Sequence, residues 1–428
     1  MSERNTPVLG CVADDITGAT DLAINLVAGG MRVVQVMEAL PADQLRQLDC
    51  DAVVVALKIR SVESNIAVHQ AIDATAQLQQ AGCKRFFLKY CSTFDSTPGG
   101  NIGPIAEAMM EQLGQKQVVF CPAFPKNGRT VYQSHLFVHD RLLHESGMEK
   151  HPLNPMLDAD LRRLLAAQST LPVGGVDASA IELGSNSVKV RLEELAGDFP
   201  LVILDACSDR HLAVLAEALA EANFVTGGSG IACFLPEQYR KIGLGGEQTH
   251  EPVLPDVTGR AVVLSGSCSS ATLRQIALFR ERYPSKKIEV PRVLADGDAY
   301  LRELVRWVSE QDASRPVLLY STSPAGEVDQ LKVAHAGVNI AESIERFQGA
   351  LAQRLATEVG VRRFVVAGGE TSGAVASALG VNTLKIGPEI CPGVPWTESV
   401  SKQPLALAFK SGNFGSENFF EEALAMLP

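Results

Sequence analysis

The sequence predicts an α/β chain: two α/β domains with mostly parallel sheets and an active-site cleft between them. Three observations carry this expectation. Short β-rich apolar runs alternate with helical stretches along the chain. The alternation breaks once, at a Gly-rich polar segment near residue 245, and then restarts. A length of 428 residues is enough for two or three domains, each with its own core.

In chain order, residues 8–13 read as a buried strand and 17–28 as a helix, with strands at 32–37 and 52–57. Residues 65–81 form a helix stopped by Gly82, followed by a strand at 85–91, a helix at 102–113 and a strand at 117–121. Residues 201–206 read as a strand and 209–220 as a helix. The stretch 241–250, followed by Pro252 and Pro255, reads as a linker and divides the chain into 1–245 and 246–428. Beyond it come strands at 261–265, 317–321, 363–367 and 405–409, and helices at 271–282, 340–359, 372–379 and 417–426. No solenoid period or low-complexity tract is visible. Ligands of open α/β sheets bind beyond the carboxyl ends of the strands, so the chemistry is expected in the loops that follow them.

Composition narrows the partners. Apolar residues make up 46% and charged residues 20%, as in ordinary soluble domains. The formal net charge of −11 argues against broad contact with nucleic acid or an anionic membrane, yet leaves room for a small anionic substrate in a locally basic pocket. No apolar run approaches the roughly 20 residues of a membrane span. Residues 1–7 lack the apolar segment of a secretory signal. Nine cysteines without a Cys-x-x-Cys pair suggest reduced thiols in the cytoplasm, most of them, such as Cys11 and Cys121, small core residues.

Several loops concentrate polar chemistry. Asp14 and Asp15 stand side by side after the first strand; one can cap the next helix, leaving the other for a substrate hydroxyl or a Mg²⁺ water. Lys89 to Gly103 holds Lys89, Asp95, Ser96, Thr97 and three glycines, denser than a plain connection needs, although Asp95 or Asn101 could simply cap the next helix. After the strand at 117–121, Asn127-Gly128 marks a tight turn that would aim Lys126 and Arg129; a guanidinium there could hold a carboxylate in two bonds, or the segment could equally be a solvated turn with exposed charges. In the second half, Ser265-Gly266-Ser267 and Ala367-Gly368-Gly369-Glu370-Thr371 each join a strand to a helix, which suits a phosphate. Phe409-Lys410-Ser411-Gly412-Asn413-Phe414-Gly415 has the same texture, and Gly227-Gly228-Ser229-Gly230 reads as a flexible loop near the domain junction.

No P-loop, clean dinucleotide fingerprint, protein-kinase catalytic loop or nucleophile elbow is present. His135, His139 and His144 lack the Glu of a zinc-protease helix and lie in a strand-like stretch, so a structural or exposed role is favoured over a metal site.

The run from Ala13 to Asp21, Phe94-Asp95-Ser96-Thr97 with Pro98-Gly99-Gly100-Asn101-Ile102-Gly103, and Gly368-Gly369-Glu370-Thr371-Ser372 together resemble the four-carbon acid sugar kinase family, in the family's order and over nearly the whole chain. Threonate- and erythronate-type relatives more often read Asp-Ser-Thr-Leu-Arg-Gly-Asn, whereas Pro98-Gly99-Gly100 is similar to the oxo-tetronate branch. The resemblance implies a substrate-binding N-terminal domain, a nucleotide-binding C-terminal domain, and ATP-dependent phosphorylation of the 4-hydroxyl of 3-oxo-tetronate with Mg²⁺. It implies ATP contacts at Ser265, Ser267, Ala367, Gly368, Gly369, Glu370, Thr371 and Gly412, and substrate contacts at Asp14, Asp15, Lys89, Ser96, Thr97 and Arg129. Asp95 and Asp15 are the candidates for orienting or deprotonating the hydroxyl; Lys89 and Arg129 would hold the substrate carboxylate. Metal ligands stay unassigned and self-assembly stays open. Three alternatives also stay open: a kinase of threonate or erythronate, an aldolase or isomerase of the acid sugar phosphate, and a non-catalytic sensor.

Overall fold

Apolar runs bounded by polar turns become the strands of two compact units, Met1–Pro252 and Val253–Pro428. The computed structural model describes residues 6–150, 154–245, 249–322 and 339–427, so residues 1–5 and 246–248 of the segments read above lie outside it.

The first unit is built on β1 (Leu9–Ala13), β2 (Val33–Val36), β3 (Ala52–Ala56), β4 (Arg85–Lys89) and β5 (Val118–Cys121). A three-stranded antiparallel insertion follows, β6 (Arg129–Tyr132), β7 (His135–Val138) and β8 (Arg141–Leu142), and then β9 (Val173–Val176), β10 (Leu201–Leu204) and β11 (Phe224–Gly227) return to the main sheet. The main order is β2-β3-β1-β4-β11-β5-β10-β9, with every pairing parallel. Helices α1 (Ile16–Ala28), α2 (Ser64–Ala81), α3 (Ile102–Gln112) and α4 (Asp209–Ala218) lie among these connections. Strand β1 is wholly buried, as a parallel strand covered on both faces must be. The chain leaves β1 toward β2 and β3 but leaves β4 toward β5, so the strand order reverses between β1 and β4. Such a reversal opens a crevice at the carboxyl ends.

The second unit contains β12 (Arg260–Ser265), β13 (Ser285–Lys287), β14 (Val317–Tyr320), β15 (Val361–Ala367), β16 (Thr383–Cys391), β17 (Val394–Ser399) and β18 (Ala406–Lys410), in the order β13-β14-β12-β15-β18-β17-β16. The first five are parallel and the last two run antiparallel to their neighbours. Helices α5 (Ser270–Arg282), α6 (Val290–Ser309), α7 (Ile340–Arg354), α8 (Gly369–Ala378) and α9 (Phe419–Met426) complete it. Val263, Phe279, Val365, Trp396, Ala408 and Phe419 form its core, and the Trp396 indole N–H donates to the Ala423 carbonyl at 2.9 Å. Its first four strands repeat the order of the first unit, giving a second reversal between β12 and β15.

Several elements differ from the sequence reading. The helix expected at 372–379 begins at Gly369. The one expected at 340–359 is α-helical only to Arg354 and ends in a π-helical turn, Leu355–Val359, closed by Gly360 at φ +74°. Asn127-Gly128 closes a 3-10 turn, Pro125–Asn127, and leaves Lys126 exposed; the hairpin bend lies at Gln133 and Ser134 (φ +46° and +61°). That strained bend is held by the buried Asp205 carboxylate, which accepts from the N–H groups of Gln133 (2.6 Å), Ser134 (2.8 Å) and Ala178 (3.0 Å). Gly227 to Gly230, read as flexible, is buried: a Cβ on Gly227, Gly228 or Gly230 would come within 2.5–2.7 Å of the carbonyls of Cys121, Pro122 or Ala123. Cys11, Cys50, Cys83 and Cys121 are buried, whereas Cys207 and Cys268 are exposed. Among the described residues, no helix is long and apolar enough to cross a membrane.

Candidate active site

At the first reversal, Ala13 pairs with Lys89, and the Asp14 N–H donates to the Lys89 carbonyl at 3.0 Å. This joins the loops after β1 and β4. Asp15 caps α1 by accepting from the Gly18 N–H at 2.8 Å, and a Cβ at Gly18 would fall 2.3 Å from the Asp15 carboxylate and 3.0 Å from Lys89 Nζ. Sequence reasoning missed Arg60. Its guanidinium donates to both Asp14 oxygens at 2.8 Å and to Asp15 Oδ1 at 2.7 Å. Burial opposes the Arg60 charge, but Asp14 and Asp15 outweigh it and hold the guanidinium charged. Burial raises the Asp14 carboxyl, and the Arg60 hydrogen bonds oppose that rise. The available signal was the position of Arg60, a cation just beyond the β3 strand.

Lys89 is buried, and its ammonium donates to the Tyr90 carbonyl at 2.8 Å. Among the described residues it has no carboxylate within 4.0 Å. Asp95 is buried and accepts from the Thr93 hydroxyl at 2.5 Å, while Cys91 Sγ lies 3.0 Å from the same hydroxyl. Asn101 starts α3 without capping it; its amide reaches back to the carbonyls of Ile59 (2.7 Å) and Val62 (2.9 Å), tying the β4 loop to the segment that carries Arg60. Asp14, Arg60, Tyr90, Asp95, Ser96 and Asn101 line one narrow cleft. Asp15, Lys89 and Thr97 border these groups without lining the cleft, and Arg129 opens β6, where its guanidinium donates to the Asn127 carbonyl and its buried Nε has no partner among the described residues.

In the second unit, Ser265 pairs with Ala367, whose carbonyl accepts from the N–H groups of Gly266 (3.0 Å) and Ser267 (3.2 Å). A cavity of about 300 Å³ opens there. Ser267, Gly368, Gly369, Glu370, Thr371 and Gly412 line it together with Val290, Ile340, Ala341, Ile344 and Glu345. Ser265 and Ala367 lie behind the wall: the Ser265 hydroxyl is fully buried and bonded to Thr322 Oγ1 at 2.8 Å. Thr371 wedges between two glycines, so a Cβ at Gly266 would sit 2.2 Å from its hydroxyl and one at Gly368, φ +124°, 3.0 Å. The two glycine turns differ. Ser269 caps α5 and also donates to the Gly412 carbonyl at 2.6 Å. Among the described residues no side chain caps α8 and its first N–H groups, at the cavity lining, have no partner; a Cβ at Gly369 would meet nothing within 4 Å. Burial, then Glu370 and Glu342, raise the Glu345 carboxyl.

Two α/β units, each collecting polar groups where the order of its parallel strands reverses, are the frame of a two-domain enzyme of small molecules. Residues 9–235 match the family model for a sugar-binding N-terminal domain and residues 262–420 that for a nucleotide-binding C-terminal domain. The chain is 47% identical over 100% of its length to a protein of Burkholderia multivorans named 3-oxo-tetronate kinase, 99% of which is covered. It is also 47% identical to one of that name from Pseudomonas fluorescens, over 98% of this chain and 97% of the other. Solved structures of a Salmonella typhimurium LT2 protein (TM-score 0.90, 41% identity, 98% of this chain and 99% of that one) and a Haemophilus influenzae protein (TM-score 0.88, 39% identity, 98% and 100%) share the fold. The chain belongs to the four-carbon acid sugar kinase family.

Proposed function

We propose that this chain is an ATP-dependent kinase that transfers a phosphoryl group to the 4-hydroxyl of 3-oxo-tetronate. The observation that carries this reading is the 47% identity, over the whole length, to relatives named for that activity. The geometry supports a division of labour: acid sugar at the β1–β4 reversal and nucleotide in the cavity beside α8.

Phosphoryl transfer asks for positioning and charge neutralisation more than covalent help. The unpaired first turn of α8 suits phosphate oxygens, and the apolar wall of Val290, Ile340 and Ile344 suits a base. Mg²⁺ is commonly held by one or two carboxylates plus substrate phosphates, and Glu370 and Glu345 are the carboxylates available at the cavity. When bound, it would neutralise charge on the triphosphate. Asp95 is the better base of the two candidates. Asp15 is engaged by Gly18 and Arg60, whereas the Asp95 carboxylate accepts from the Thr93 hydroxyl and lines the cleft. Lys89 has ammonium hydrogens to spare and Arg129 an orphan Nε, which suits both to the substrate carboxylate.

ADP release by the purified chain with ATP, Mg²⁺ and 3-oxo-tetronate tests the reading. One ADP per sugar and a phosphomonoester at carbon 4 by phosphorus NMR are expected. Turnover of threonate or erythronate with none of 3-oxo-tetronate would overturn the substrate assignment.

A further inference from the structure

We propose that Lys410 is a positioning residue for the nucleotide site, acting on ATP by fixing the backbone of Gly412. The inference rests on reading the second unit's cavity as the nucleotide site. Lys410 ends β18 and is 1% exposed. Its ammonium donates to Thr272 Oγ1 (3.2 Å) and to the carbonyls of Ser411 (3.1 Å) and Gly412 (3.1 Å), one acceptor for each hydrogen. Among the described residues it has no carboxylate within 4.0 Å; the Phe419 ring lies 5.7 Å away, and Cys391 is the titratable side chain that acts on it. The Gly412 carbonyl also accepts from Ser269 Oγ (2.6 Å) and Thr272 Oγ1 (2.8 Å). Three donors, from β18, from α5 and from its cap, therefore converge on one carbonyl in the cavity wall.

Nothing about folding requires a cation there. A buried ammonium without an ion pair works against stability, and burial lowers this one to about 8. An apolar residue of similar length would fill the space more favourably. What the ammonium supplies is geometry: it holds the Ser411 and Gly412 carbonyls turned inward, which leaves the other side of Gly412 open to the ligand. The space has no tolerance, because a Cβ on Gly412 would lie 2.2 Å from Ser267 Oγ.

The test compares the wild-type chain with Lys410→Met and Thr272→Val by ATP calorimetry, thermal melting and steady-state kinetics. For Lys410→Met, a rise of about tenfold or more in the ATP dissociation constant and in KM for ATP is expected, with KM for the acid sugar unchanged and Tm no lower than wild type. Thr272→Val removes one strut and should shift ATP affinity the same way by a smaller factor, which keeps the inference testable if the first variant does not fold. Unchanged ATP affinity in both folded variants, or an equal rise in both KM values, would overturn it. A wild-type chain that binds no ATP would overturn the nucleotide reading and this inference with it.

Discussion

Phe94 packs edge-to-face on Tyr90, ring centroids 5.3 Å apart, while its own backbone holds φ +51°. A left-handed conformation at a bulky residue costs on the order of 1–2 kcal/mol and persists only where packing enforces it. Phe94 is fully buried, and Tyr90 is itself bonded to Thr226 at 3.1 Å. The aromatic pair thus sets the direction in which the next residue, Asp95, leaves the chain.

If Asp95 orients or deprotonates the attacking hydroxyl, Asp95→Asn should lower kcat by about 10²-fold or more, with ATP affinity and Tm nearly unchanged. Asp15→Asn is the control: Asn caps a helix nearly as well as Asp, and kcat should fall far less. Steady-state kinetics on both variants decide; the opposite ranking would make Asp15 the base.

Arg60→Met should destabilise the chain by about 3 kcal/mol, because two carboxylates lose their shared partner. The deficit should depend on pH. Burial raises the Asp14 carboxyl above 3.8, so the folded state binds more protons than the unfolded state above that value, and stability falls as pH rises through the window. Removing Arg60 deepens that effect. Urea midpoints should show a larger loss at pH 7 than at pH 5, and equal losses would contradict it.

Gly369→Val adds a side chain in open space at the cavity end, so the fold should survive while ATP binding weakens by about tenfold or more. Gly266→Val, by contrast, collides with Thr371 at 2.2 Å and should lower Tm as well. Melting curves beside ATP titrations separate the two cases.

Arg129→Ala should raise KM for the acid sugar by about one to two decades and leave the ATP dissociation constant alone. An equal loss in ATP affinity would move Arg129 to the phosphoryl group.

The apolar runs at 8–13, 52–57 and 85–91 mark β1, β3 and β4 within two residues, because a strand buried on both faces needs an unbroken apolar stretch. Placing Asp14 and Asp95 beyond strand ends followed directly. Arg60 left only a faint signal, a lone cation just beyond the β3 strand, and it is the pairing of β3 with β1 that carries it to Asp14. The inward turn of Ser265 depends on Thr322, far away in the chain. Strand β16 was hidden by Gly387-Pro388, residues that break a strand pattern and here sit at a shift in register. The glycines of 227–230 suggested freedom, but they are there because three carbonyls approach too closely for any side chain.

The bare first turn of α8 also bears on how the enzyme should be handled. Unpaired N–H groups at a helix start attract any compact oxyanion. On the reading of that cavity as the nucleotide site, phosphate or sulfate in a buffer would occupy the ground that the triphosphate needs. Measurements in such buffers would understate the affinity for ATP and leave that for the sugar untouched, so zwitterionic amine buffers with chloride are the appropriate reference.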